Sequence, residues 1–439
     1  MATTLVEADA TATAPPRPKL WAPARQHSFR LLWLGQSLSL LGDGFSYIAF
    51  AWVTLSLTHS TLDLGYVLTL QAVPRALLTL VGGSLSDKWS ARTLMTCSSW
   101  ARSLLMGAIG VAGLSGSLDI WMLCAAAAAF GTVDAFFQPA RVSILPSVVA
   151  KDLLTPANAL LGVGTRVSAV LGPAVGGMVV ALSRAPIAFV VDGVCFALCG
   201  LCVVLIRPLP RIPAPAAAPV DPAADEAGSA PAAPAPAAAE SLGARIRVGL
   251  SYTWKDARLR TVLALDTAIN FCYAGPFTVG FATLAKVALH GGSTTLGLLN
   301  GALAGGAMLG TLAGGLMGGR PRVGLLVAAL AGWLGVGMAL LGVFHNAVAA
   351  VATVLLMGFA IGFQGVFGLS WIQRNIPQEV LSRVISVDMV LGYAAAPVSL
   401  IVCGALAQVS TGLMFAGVAV VLGVTALGVL SSRAVREMR

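Results

Sequence analysis

The chain has 439 residues, of which 57% are hydrophobic and only 10% charged. A soluble domain carries about 25% charged residues, so a water-facing globule is excluded and the bilayer must be the main solvent. The formal net charge of +9 would suit nucleic acid, but its distribution assigns it to a membrane surface instead.

Residues 1–28 are rich in Ala, Thr and Pro and lack an apolar core followed by a small-residue cleavage site. They read as a cytoplasmic N-terminal tail, not a signal peptide. A helix needs roughly 20 apolar residues to cross the hydrocarbon core. Segments that meet this need recur near 30–57, 63–86, 91–113, 118–138, 157–182 and 186–206, giving an N-terminal six-helix bundle over 29–206. The runs are long and apolar on all sides, which suits helices and not the short alternating strands of a barrel.

Residues 207–241 break this pattern. The Ala/Pro run from Pro213 to Pro234 cannot bury a core and is expected to be a disordered cytoplasmic linker. Over 242–259, Arg245, Arg247, Lys255 and Arg258 stand beside Ile246, Leu250, Tyr252 and Trp254. The pattern predicts an amphipathic helix on the inner leaflet; a solvated basic connection is the plainer reading. Spans resume near 260–284, 293–317, 323–343, 347–372, 381–407 and 411–432, a C-terminal bundle over 260–432, followed by a tail at 433–439. The predicted fold class is an all-α membrane protein with twelve transmembrane helices in two six-helix bundles.

With these spans, the lysines and arginines fall to one side, except Arg184 and Lys286 on the other and Arg75, Arg102 and Arg166 within spans. Under the positive-inside rule both termini and the middle loop are cytoplasmic, which fits an even number of spans. The seven cysteines all lie in apolar spans, so no disulfide framework is expected. Cys195, Cys199 and Cys202 share a helix face, read as small core hydrophobes and not as metal ligands. The histidines are scattered in loops, and no metal or cofactor is expected.

The halves echo one another. Leu145-Pro146 closes the fourth span and Ile376-Pro377 the tenth, and the fifth and eleventh spans each carry a small-residue step with a proline, at Gly172-Pro173 and Ala396-Pro397. Such repeats recur in secondary transporters, with the substrate site between the halves.

Between the second and third spans stands Gly83-Ser84-Leu85-Ser86-Asp87-Lys88, with Arg92 beyond; in the fifth span stand Gly172, Pro173, Gly176 and Gly177; and Phe136-Phe137-Gln138-Pro139-Ala140-Arg141 precedes Leu145-Pro146 and Ala157-Asn158. On these residues the chain resembles the major facilitator superfamily over about residues 28–433, and within it the macrolide-efflux and enterobactin-exporter branch of drug–proton antiporters. Ser90 and Ala91 replace a Gly and a base of the usual loop motif, and Ser168 replaces a Gly of the fifth-helix motif. The resemblance implies that Gly83, Asp87, Lys88 and Arg92 form a conformational latch, with Asp87 facing Arg383 at the start of the eleventh span. An anion there would meet the positive end of a helix dipole and accept a charge-assisted hydrogen bond.

Asp43, Asp134, Asp192, Asp266 and Asp388 fall inside spans, as do the three arginines named above. A charge at mid-bilayer costs at least about 2.5–3.5 kcal/mol, so each needs a partner or a wet cavity. The resemblance implies that spans one, four, seven and ten line the central cavity, which makes Asp43, Asp134 and Asp266 the candidates for proton coupling. A carboxyl removed from water holds its proton more readily. Arg75, Arg102 and Arg166 are the expected charge partners, and an ordinary structural ion pair is the plainer reading. Gln36, Trp52, Asn270, Phe271, Tyr273 and Gln364 are the expected cavity contacts, and prolines 74, 173, 276 and 397 the expected bends.

No phosphate-binding loop, nucleophile elbow or zinc helix occurs, so the expectation is a transporter and not an enzyme. The reading is a monomeric, multi-pass protein of the plasma (inner) membrane that exports small amphipathic molecules, drugs or siderophores, in exchange for protons. The alternatives are an importer or lysolipid flippase on the same scaffold, or a membrane sensor that binds without transport.

Overall fold

The computed structural model describes residues 21–85, 89–207, 267–316, 323–344, 346–375 and 378–431. Within these, the side chains of 80–85, 151, 323, 369–375 and 378–389 are outside the description. The N-terminal tail, the linker, the amphipathic stretch, the C-terminal tail and Asp266 lie outside the described residues.

The first half folds as α1 (His27–Thr58), α2 (Thr61–Leu85), α3 (Ala91–Leu114), α4 (Ile120–Ser143), α5 (Leu154–Leu182) and α6 (Ala185–Leu205). The second half gives α7 (Thr267–Ala288), α8 (Gly292–Leu316), α9 (Val323–Val343), α10 (Ala347–Asn375), α11 (Gln378–Val409) and α12 (Thr411–Ser431). Among the described residues, ten helices are long and apolar enough to cross a membrane by length and composition. The other two long ones are α2 and α3, which carry Arg75, Arg92 and Arg102.

Local sequence explains the ends. Ser90 accepts from the Thr93 amide (3.1 Å) to start α3, and Asp119 accepts from the Ile120 amide (2.7 Å) to start α4. His59 and His290 both adopt the left-handed conformation, φ 55° and 48°, directly after the first helix of each half, an echo the linear sequence conceals. The fourth span runs five residues past its expected end at 138, because Pro139 lies inside α4 near its C-terminus and is followed by a short 3-10 turn at Leu145–Ser147.

In the first half α1 packs on α5 and α6, α2 on α4, and α3 on α4 and α6; in the second, α8 packs on α10 and α9 on α12. The α8–α10 crossing is a backbone-to-backbone contact. A Cβ on Gly306 or Gly310 would strike the carbonyls of Leu355 or Phe359, and one on Gly358 or Gly362 the carbonyls of Leu303 or Ala307. Four glycines on two helices thus interlock, the close approach that membrane helices use in place of a hydrophobic drive. Helix α7 contains two π-helical stretches, Pro276–Gly280 and Leu284–Ala288. Proline lacks the amide that a regular helix would use at 276, and π segments concentrate at functional sites.

The halves meet through α5 with α8, α2 with α11, and α1 with α7. Every described hydrogen bond between them lies from mid-helix toward the face that bears the α1–α2 turn. Ser293 Oγ donates to the Gly177 carbonyl (3.0 Å), Thr61 Oγ1 to that of Gly404 (2.8 Å), Thr69 Oγ1 to that of Pro397 (3.3 Å) and Tyr47 to that of Phe277 (3.0 Å).

Candidate functional site

A charge cluster forms where α1, α2, α3 and α4 converge. Asp134 on α4 is buried and bound twice: Oδ1 lies 3.1 Å from Arg102 Nη1 and Oδ2 lies 3.0 Å from Arg75 Nε. The same Arg102 Nη1 is 3.7 Å from Asp43 Oδ1, whose side chain is 31% exposed. Arg102 itself is wholly buried. Its guanidinium carbon lies 4.0 Å from the centroid of the Phe137 ring and 4.2 Å from that of Phe196, and Nη2 reaches Ser39 Oγ at 3.5 Å. Two rings and three oxygen partners therefore fix a cation that cannot reach water.

The arrangement is graded from dry to wet. Arg102 and Asp134 are sealed, whereas Arg75 is 45% exposed and Asp43 is open. Asp134 is neutralised by two arginines, so its charge is compensated in place. Asp43 has a single, longer contact, and its side chain keeps part of its surface uncovered. Arg141 on α4 adds a further cation to the field at Asp43 and Asp134; the sequence reading placed it with the surface bases.

The other predicted residues are placed as follows. Arg166 is exposed on α5 and forms no ion pair among the described residues, so it does not join the cluster. Arg92 turns to the end of α6, where Nε donates to the Val203 carbonyl (3.2 Å) and Nη2 to that of Val204. Gly83 lies in the last turns of α2 and Arg383 in α11, while Asp87 and Lys88 are outside the described residues. Gly172 and Gly176 lie against Gly44 and Phe45 of α1, while Gly177 faces Ser293 and Gly297 of α8 and the Pro173 carbonyl faces Gly297. At that motif α5 touches both halves.

A cavity of about 180 Å³ lies where α5, α7, α8 and α10 meet, lined among others by Pro173, Tyr273, Asn300, Leu303 and Ile361. Tyr273 is thus a cavity residue, and its ring begins a series with Phe277 and Phe281, at centroid distances of 4.6 and 5.1 Å. Phe271 and Asn270 on α7 and Gln364 on α10 are half-buried, and Gln36 is buried within the first half, its amide near the Arg141 carbonyl. Trp52 lies beneath Lys286, whose ammonium is 5.4 Å from the ring centroid and 3.3 Å from Ser56 Oγ, tying α1 to α7. Asn300 and Leu303 were not foreseen. An asparagine in an otherwise Gly/Ala/Leu span was the available signal for the first. Among the described residues no cluster of metal-ligand type occurs.

Paired helical halves joined through α5, intramembrane charges in the first half and a cavity between the halves are the architecture of a membrane transporter. The chain belongs to the Major Facilitator Superfamily, whose sequence profile matches residues 32–400. It is 27% identical over 399 residues to the multidrug efflux pump Tap of Mycolicibacterium fortuitum, covering 89% of this chain and 91% of that one. It is 23% identical over 368 residues to the enterobactin exporter EntS of Shigella boydii, covering 81% and 80%. Among solved structures it resembles the nucleoside transporter NupG, with a TM-score of 0.68 at 12% identity, covering 92% of this chain and 100% of that one. A bacterial homologue of the human lysosomal transporter Spinster, solved inward-facing and unoccupied, gives a TM-score of 0.64 at 13% identity, covering 93% and 95%. At these identities the structural likeness speaks for the fold.

Proposed function

We infer that the protein exports small amphipathic molecules, drugs or siderophore-like metabolites, in exchange for protons, by alternating access of its two halves. It acts as a monomer in the plasma membrane with both termini cytoplasmic, and the loop at Asp87 with Arg383 serves as the latch between states. The observation that carries this reading is the contrast between Asp134, buried and held by two arginines, and Asp43, held at 3.7 Å by one and only partly covered.

That contrast supplies a coupling rule. An ionised Asp43 can pair with a positive or hydrogen-bonding group of a substrate; a protonated Asp43 cannot. Proton and substrate then exclude one another, and by linkage each weakens the other's binding equally. Arg102 stays with Asp134 in either state, so the buried pair is not broken during the cycle, a step that would cost about 3–5 kcal/mol. The cavity beside Tyr273 and Asn300 offers aromatic and aliphatic walls with one amide, which suits an amphipathic guest. The multidrug and enterobactin exporters among its relatives point the same way. The test is uptake of ethidium, erythromycin and enterobactin into proteoliposomes with an acidic lumen. Acid-driven uptake is expected, falling to background in Asp43→Asn at unchanged membrane insertion. Undiminished acid-driven uptake by that variant would remove Asp43 from the mechanism.

A further inference from the structure

We propose that Asp192 is a second proton-binding site, a carboxyl that holds a proton in the dry centre of the first half behind the partly exposed Asp43. The proposal rests on the proton-coupled reading above and adds to it a residue on α6, a helix that does not line the cavity in that scheme.

The geometry is specific. Asp192 is wholly buried. Ser46 of α1 donates its hydroxyl to Oδ2, and Oδ1 has no hydrogen-bond partner among the described residues. Oδ1 is pressed against the bare Cα of Gly42, where even a methyl group would collide with it. The remaining charged groups are accounted for helix by helix. From α1 the facing group is Asp43, an anion; from α3 it is Arg102. The charged side chain of α5, Arg166, is exposed, and on α6 itself the neighbour is the Cys195 thiol. Arg102 is committed to Asp134 at 3.1 Å and to Asp43 at 3.7 Å, and among the described residues no cation lies within ion-pair distance of Asp192.

An ionised carboxylate accepts about four hydrogen bonds. Here it would have one hydroxyl, one nearby anion and no direct counter-ion, in a place lipid and protein keep dry. A neutral acid fits the same surroundings, since its demand for partners is smaller and it carries no charge to compensate. Asp43 and Ser46 lie three residues apart on α1 and so on one face. When Asp192 has lost its proton, one taken up at Asp43 can refill it once the Asp43 carboxyl swings to the Ser46 oxygen, which accepts that proton and releases its own to Asp192 Oδ2. The hydroxyl is regenerated, and the net change is one proton moved from one carboxyl to the other. The anion left at Asp43 then faces Arg102, so the pair stores a proton inward while restoring the charge that a substrate meets.

Infrared pH-difference spectra of the full chain in proteoliposomes test the protonation directly, without a substrate. The expected result is a carbonyl band of a protonated carboxylic acid in a dry site, sensitive to deuterium, retained in Asp43→Asn, lost in Asp192→Asn and shifted in Ser46→Ala. Absence of the band in the wild type, or its survival in Asp192→Asn, overturns the proposal. Should Asp192→Asn not yield folded protein by gel filtration, the Ser46→Ala shift decides alone, and an unmoved band overturns it. In the transport arm, acid-driven ethidium uptake by Asp192→Asn is expected to fall to background while ethidium exchange without a gradient persists; equal acid-driven uptake by variant and wild type overturns the role in coupling. A wild type that shows the band but no acid-driven uptake of ethidium, erythromycin or enterobactin refutes the proton-coupled export reading and supports the proton site by itself.

Discussion

The two halves share a helix plan and a use of glycine at helix crossings, and differ in what their centres hold. In the first half the centre is ionic: Arg75, Arg102, Asp43 and Asp134 come from four helices, and Arg102 is clamped by Phe137 and Phe196. In the second half, among the described residues, no ion pair occurs and the tightest joint is the Gly306, Gly310, Gly358 and Gly362 interlock of α8 with α10. An ionic centre is strong only in its exact charge state, because removing one partner strands the other in a dry place. A glycine interlock is indifferent to charge and sensitive to volume. On the proposed reading, the ionic centre of the first half is where a proton would be registered, and the glycine joint of the second is a wall indifferent to it.

This contrast can be broken from the ionic side first. Arg102→Met should give the largest loss, about 3–5 kcal/mol, by leaving two carboxylates without their common cation. Adding Asp134→Asn to that variant should restore part of it. The measurement is thermal unfolding of the purified protein in detergent, and a stable single variant would show that the clamp is dispensable. Next is volume in the second half. Gly310→Val should destabilise by about 1–3 kcal/mol through overpacking, with no change in the pH dependence of transport; a shifted pH profile would mean that the halves are not divided as argued. The smallest effect belongs to the seam. Gln408 Oε1 accepts from the Thr61 amide (3.0 Å) across the α2–α11 contact. Gln408→Ala should leave unfolding temperature nearly unchanged while weakening the seam by about 0.5–1.5 kcal/mol per bond. Labelling of an introduced cysteine beside Tyr47 from the α1–α2 face would report the opening, and unaltered labelling would show that the seam does not gate access.

Much of the fold was legible before any coordinates. Helix after helix announced itself because about 20 apolar residues are needed to cross the bilayer, and observed ends such as Thr58, Leu182 and Val343 fall close to expectation. The candidate acids and arginines were legible too, since an intramembrane charge is rare and demands explanation. Asp134 was foreseen as a site residue, but not that it would hold two arginines. Arg166 was expected among the partners and stands apart on α5. Gln36 was expected at the cavity and is buried within the first half, whereas Tyr273 does line a cavity. Asp192 was visible as an intramembrane acid without a role, because nothing in the chain indicated that Ser46 and Gly42 would enclose it.

The linear chain by itself determined roughly where the helices run and which side chains could not be left in lipid alone. Only the tertiary structure decided which of those side chains meet. The reason lies in the helices themselves. On a soluble helix an apolar stripe marks the inward face, but a span apolar all round leaves its rotation open. That rotation is fixed only when small residues such as Gly42, Gly44 and Gly172 let particular backbones approach and bring Arg102 between Asp134 and Asp43.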